Sequence, residues 1–282
     1  MVAQWESKVE VTDSMGKAIR KSTMFNTVLN DRTTYHDYYC NNGSNVLDMS
    51  WNDLIHDNTL LDGVGYKHIH NGVRDQQVVH EYADRLCKLS GEAYDRVFFS
   101  NSGSDAIESA IKIAKMYYHN KGDTRRQKII TAKHSFHGNT IGALTISDAV
   151  ERNGVYKDLL NKDIMIHRPI AELGDDIDPT QILCVVLEPY QIHTTFNSHE
   201  NEFDYKQLEM FCKKHDLLLI MDEIYTGGGK MPNKEVKTYW GWQDKKVKHQ
   251  ASLVPDMIVC GKAITSGLFP LSGVVLHNRI TE

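Results

Sequence analysis

The chain of 282 residues has no cysteines at CxxC spacing; Cys40, Cys87, Cys184, Cys212 and Cys260 are scattered and odd in number. That pattern argues against a disulfide framework and fits reduced thiols in a cytoplasmic protein. No apolar run approaches the ~20 residues that a membrane-spanning helix needs. The charged opening, MVAQWESKVE, has no apolar signal-peptide segment. Positive charge is not in excess either. With 32 Lys and Arg against 37 Asp and Glu, the net charge is -5, which argues against a nucleic-acid partner because such binders carry a basic face. There are no internal repeats and no low-complexity tracts. The phosphate loop GxxxxGKS is absent, and GGGK at 227–230 has the wrong spacing for it. The histidine groups HIH (68–70) and HSFH (134–137) lack a third ligand at recognisable spacing, so no metal is expected.

What the chain does have is a succession of short apolar runs. RVFFS (96–100), KIITA (128–132), DIMIHR (163–168), ILCVVLEP (182–189), LLLIMDE (217–223), DMIVCG (256–261) and SGVVLH (272–277) are continuous rather than alternating, as in strands covered on both faces. Helix-period segments separate them. SDAIESAIKIAKMYYHN puts Ile107, Ile111, Ala114 and Tyr118 on one face, and FDYKQLEMFCKKHD does the same with Tyr205, Leu208, Phe211 and Cys212. The expected fold class is therefore α/β, an open, mostly parallel sheet of seven strands. Residues 1–70 are rich in Asn, Asp, Gly and Tyr with weak periodicity, and are expected to form an N-terminal segment or small lobe. Residues 71–282 are expected to form the larger domain. The polar stretch 227–250, with two tryptophans, is expected to be a long functional or mobile loop.

Open parallel sheets bind ligands beyond the carboxyl ends of their strands. The residues that follow the runs are Asn101, Ser102, Gly103 and Ser104, then His134, Phe136 and His137, then Glu188 and Gln191, then Asp222 and Glu223, and finally Lys262. SNSGSDAIESA can bind an anion at a helix N-terminus, or serve simply as a Ser/Asp cap. Phe136 can stack on a flat ring or pack in the core. Asp222 and Lys262 each end an apolar run, where an unpaired charge is costly. They can neutralise each other, or both can serve a ligand that has a phosphate, an aromatic ring and a ring nitrogen.

FFSNSGSDAIESAIKIAK, ITAKHSFHGNTIGAL, VVLEPYQ, LLLIMDEIYTGGGKM and PDMIVCGKAITSGLFPLSGVV, in this order, resemble the successive motifs of the class III aminotransferases of fold type I. The resemblance implies the large domain of that pyridoxal-phosphate-dependent fold, with pyridoxal 5'-phosphate as cofactor. Lys262 would form the Schiff base and shuttle a proton, and Asp222 would pair with the pyridinium nitrogen. Ser102, Gly103 and Ser104 would bind the phosphate. Phe136 would stack on one face of the ring, beside His137, and Ile224 would pack on the other. Gln191 would sit near the ring hydroxyl. Glu188 would match a glutamate that pairs with a mobile arginine in members acting on ω-amino groups.

Within the family, KMYYHNKGDTRRQKIITAKHSFHGNTIGALTISD and LDMSW, with Trp51 lining the substrate pocket, resemble the members that aminate 7-keto-8-aminopelargonate with S-adenosylmethionine. Aminobutyrate- and ornithine-type members, and a truncated non-catalytic binding protein, stand as alternatives. The implied partners are a small-molecule amino donor and an oxo acceptor, a second copy in a homodimer, and a separate C-terminal fragment. Membrane and nucleic acid are not among them. The family's C-terminal domain is expected to be missing, and with it the arginine that clamps the substrate carboxylate.

Overall fold

The computed structural model describes residues 19–22, 26–29, 34–36, 43–44, 46, 77–148, 154–167, 177–191, 205–230, 238–244 and 252–282. The chain divides into two compact units, Met1–Val73 with Ser266–Leu268, and Arg74–Thr265 with Phe269–Glu282. The first contains strands β1 (Ile19–Ser22), β2 (Asn26–Leu29) and β3 (Thr34–His36), which form an antiparallel sheet in that order.

The second unit holds strands β4 (Tyr94–Ser100), β5 (Lys128–Thr131), β6 (Met165–His167), β7 (Ile182–Leu187), β8 (Leu218–Asp222), β9 (Met257–Cys260) and β10 (Ser272–His277). All seven apolar runs become strands of one sheet, in the order β4-β10-β9-β8-β7-β5-β6. Every pair is parallel except those made by β10, which runs antiparallel to both β4 and β9. Ser272, at the start of β10, therefore lies beside Ser100, at the end of β4, on the edge where the parallel strands finish.

The continuous apolar runs have the reason expected of them, because β7, β8 and β9 are buried along their whole length. Leu217, Leu219, Met221, Ile258 and Cys260 join one core layer, with Leu86 and Leu208 from the helices above it. Leu218, Ile220, Met257 and Val259 join the opposite layer, with Ala106, Ile107, Ala110, Ala114 and Tyr118. Helix α1 (Gln77–Ser90) lies on the first side with α4 (Tyr205–His215), and α2 (Gly103–Asn120) lies on the second. A short helix, α3 (Ile141–Thr145), follows β5. Of the helical faces expected, Tyr118, Tyr205 and Leu208 are buried, while Ile111 and Phe211 are partly covered. Helix α1 was not expected from sequence, although Val79, Tyr82, Ala83, Leu86 and Cys87 have helical spacing.

The four described cysteines, Cys87, Cys184, Cys212 and Cys260, are free and buried, as reduced thiols would be. No helix among the described residues is long and apolar enough to cross a membrane. Part of the 227–250 stretch, expected to be a long functional or mobile loop, is packed. Trp240 is 0% and Trp242 4% exposed, and Trp240 Nε1 donates to Ser90 Oγ at 2.8 Å, so Thr238–Asp244 is packed into the core against α1.

At the opposite end of the strands, helix α5 (Asn278–Thr281) is fixed by an ion pair. Arg279 Nε lies 2.8 Å from Asp256 Oδ1, and Asp256 Oδ2 accepts from Leu219 N at 2.7 Å. Removing Arg279 leaves a buried carboxylate without its cation, but the guanidinium is itself partly exposed. Arg279→Met is therefore expected to lower stability by about 1–3 kcal/mol, read as a lower urea midpoint at unchanged m-value.

Candidate active site

The site is assembled on the edge where β5, β7, β8 and β9 end. Because β7 lies between β8 and β5, Glu188, just past β7, stands between Asp222, the last residue of β8, and the His134–Gly138 loop that follows β5. Asp222 is 4% and His137 2% exposed. His137 Nδ1 is 2.8 Å from Asp222 Oδ2, and Asp222 Oδ1 accepts from Ile224 N at 3.1 Å. The Asp222 carboxylate is thus taken up by His137 and the backbone, so mutual neutralisation with Lys262 is not its explanation. Burial alone would lower the His137 pKa, but the hydrogen bond and charge of Asp222, with Glu188 nearby, raise it overall. His137 Nε2 is buried without a hydrogen-bond partner.

Glu188 is 6% exposed and its Oε2 accepts from Phe136 N at 3.1 Å. That bond fixes the backbone carrying the Phe136 ring. Burial pushes the Glu188 carboxyl up to about 7, against the attraction of His137 and Lys262. Among the described residues its hydrogen bond is with the Phe136 backbone. Gln191 Nε2 donates to Lys133 O at 2.8 Å, tying the ends of β5 and β7 together.

Ser102 is the N-cap of α2, its Oγ accepting from Asp105 N at 3.2 Å. The cap does not exclude the anion reading, because it leaves the N–H groups of Gly103 and Ser104 at the first turn, where a helix favours negative charge. A Cβ on Gly103 would lie 2.7 Å from Ile224 Cδ1, so glycine is needed for the Ile224 side chain to approach the helix start. Ser104 Oγ accepts from Asn139 N at 3.0 Å, and Gly138, at φ 142, lets that loop pass over Ser104 where a Cβ would collide with its hydroxyl.

Lys262 opens a 3-10 turn, Lys262–Thr265, after β9 and is half-buried. Its φ of 48 lies in the left-handed region, which costs a residue with a Cβ about 1–2 kcal/mol. Its Nζ is 3.9 Å from the centroid of the Tyr225 ring. Glu223, the neighbour of Asp222, faces the other way. Its carboxylate accepts from Gly241 N at 2.8 Å, Trp242 N at 2.7 Å and the Thr226 hydroxyl.

Trp51 lies outside the described residues. The others expected at the site are gathered at the strand ends, with Glu223 turned from them into the packing of Thr238–Asp244. Sequence reasoning missed the pairing of His137 with Asp222 and the contact of Tyr225 with Lys262. Both join residues distant along the chain or turned by a loop, and neither had a local signal. No group of three or more metal-ligating side chains occurs among the described residues.

The model of the aminotransferase class-III family matches residues 64–282. The chain belongs to this family. It is 34% identical over 202 residues to an ornithine aminotransferase of Macrococcus caseolyticus, with 71% of this chain and 47% of that protein covered. Over 274 residues it is 28% identical to the adenosylmethionine-8-amino-7-oxononanoate aminotransferase of Buchnera aphidicola, with 86% of this chain and 59% of that one covered. Among solved structures, an amine transaminase from an uncultivated Pseudomonas species in its PLP-bound form superposes with a TM-score of 0.80 at 21% identity, covering 98% of this chain and 66% of that one. The adenosylmethionine-8-amino-7-oxononanoate aminotransferase of Methanocaldococcus jannaschii gives 0.77 at 22%, covering 98% and 61%. These two likenesses show the fold, an α/β architecture shared with those transaminases. The chain spans about half the length of the curated relatives it matches.

Pyridoxal 5'-phosphate is the cofactor this family implies, and the residues present fit it. The first turn of α2 offers N–H groups to a phosphate, the buried Asp222–His137 pair offers a carboxylate to a ring nitrogen, and a half-buried lysine stands one strand away.

Proposed function

We propose that the protein transfers an amino group from a small-molecule donor to an oxo acceptor with pyridoxal 5'-phosphate as cofactor. The convergence of Lys262, the Asp222–His137 pair and the start of α2 on one sheet edge carries this reading. When bound, the cofactor supplies an aldehyde that takes up amino groups and a ring that draws electrons from the substrate's Cα. Lys262 would be the attachment point, and its Nζ would carry the proton from the substrate's Cα to the cofactor carbon that bears the aldehyde. Asp222 would hold a proton at the ring nitrogen, with its carboxylate oriented by His137. Gly103 and Ser104 bind the phosphate with their N–H groups while Ser102 caps the helix that presents them.

Phe136, its backbone held by Glu188, and Ile224 would cover the two faces of the ring and exclude water from it. Gln191 would serve the ring hydroxyl. For the substrates, the reading is amination of 7-keto-8-aminopelargonate with S-adenosylmethionine, supported by the long match to the Buchnera enzyme. An ornithine-type reaction is the second reading, favoured by the identity to the Macrococcus protein.

Borohydride reduction of protein incubated with pyridoxal phosphate, followed by peptide mapping, tests the assignment. The label is expected on the peptide containing Lys262, and Lys262→Ala should lose both the label and the visible absorption band. A label on another lysine rejects the site. Exposing the loaded protein to S-adenosylmethionine or ornithine, and following which one discharges the band, separates the two substrate readings.

A further inference from the structure

Tyr225 sits on the turn after β8 and is half-buried. Two ammonium groups face its ring, Lys262 Nζ at 3.9 Å from the centroid and Lys230 Nζ at 5.2 Å. A cation over an aromatic face gains about 0.5–2 kcal/mol, the more so when water is excluded. The charged neighbours of Lys262 in the site are already engaged. Asp222 is held by His137 and Ile224 N, and Glu188 accepts from Phe136 N. Glu188 nevertheless acts electrostatically on Lys262, while Lys230 approaches from the turn that carries Tyr225 itself. The Tyr225 ring attracts the ammonium without competing for its proton. Lys262 also leaves a backbone held in the left-handed region, which limits where its side chain starts.

We propose that Tyr225 is a positioning residue for Lys262, its ring face seating the ε-ammonium whenever Nζ is not joined to the cofactor. The ring keeps Nζ at one place in the site and favours its protonated form, the state the lysine must reach after removing a proton from substrate. This rests on Lys262 being the attachment point, but it concerns the free amine and is read without cofactor.

The test is competitive acetylation of the cofactor-free protein with trace acetic anhydride across pH, with the Lys262 peptide quantified by mass spectrometry. Tyr225→Phe keeps a ring and is expected to leave the titration midpoint in place. Tyr225→Leu removes it and should lower the midpoint by about half to one pH unit, because the ammonium loses its partner. A series of increasingly fluorinated phenylalanines at position 225 keeps the ring's shape while draining its face of electron density, and should lower the midpoint stepwise even if the leucine variant does not fold. Midpoints unchanged across that series, or a fall with Tyr225→Phe as large as with Tyr225→Leu, would overturn the proposal. A borohydride label on a different lysine would instead remove the attachment reading and leave this titration standing.

Discussion

Asp222→Asn is expected to slow conversion of the cofactor by an amino donor, followed in a single turnover, by at least ~100-fold, equivalent to about 3 kcal/mol on the barrier. The substitution keeps the size of the side chain and a carbonyl that can still meet His137 Nδ1 or Ile224 N. It removes the negative charge. A charge on a residue that is 4% exposed is poorly screened, so in the proposed reading its loss would weigh directly on a proton at the ring nitrogen. Cofactor binding itself should survive, because the phosphate contacts and Lys262 are untouched. A rate within a few-fold of the unmodified protein would mean that Asp222 serves only to partner His137.

Glu223→Ala is expected to cost about 3–5 kcal/mol of stability, measured by urea unfolding, because it strands two buried backbone N–H groups and leaves a cavity. Gly241 N, Trp242 N and the Thr226 hydroxyl all lose their acceptor, and with them the hold on Trp240 and Trp242. Thr226→Val, which removes only one of the three bonds, should cost about 1 kcal/mol. Equal losses from the two variants would show that the carboxylate is not the clasp.

The same carboxyl makes stability depend on pH. Burial pushes Glu223 and Glu188 up to about 7 and Asp256 up to about 6, so the folded chain binds more protons than the unfolded one from about pH 4 upward. Stability should fall as pH rises through that window toward 7. At the acid end Asp123 and Asp178, whose pKa values are lowered by hydrogen bonds to Arg126 and Thr180, contribute stability that is lost below their unfolded pKa. The thermal midpoint of cofactor-free protein is therefore expected to be highest on the acidic side of neutrality.

The sheet was legible because parallel strands buried on both faces must be apolar throughout. LLLIM and IVC announced β8 and β9 without any partner being known. Helix α2 was legible because one face of SDAIESAIKIAK packs on that sheet and its Ser102 cap is local. Lys262 and Asp222 stood out because each ends an apolar run with a charge, which is costly unless a partner meets it. Helix α1 was passed over although its apolar spacing was there to read.

The rest lay in pairings across the chain. That Asp222 meets His137, 85 residues away, depends on the strand order β8-β7-β5 bringing both loops to Glu188. Glu223 and Asp222 face opposite sides by strand alternation, which continues past β8 as Glu223 N donates to Val259 O, but that Gly241 and Trp242 wait on one face and His137 on the other is not revealed by DEIYT. By itself the sequence determined which segments had to be buried and which charges needed a partner, since solvation cost is a property of each residue. Only the tertiary structure decided which partner each charge found, because that depends on which strand ends become neighbours.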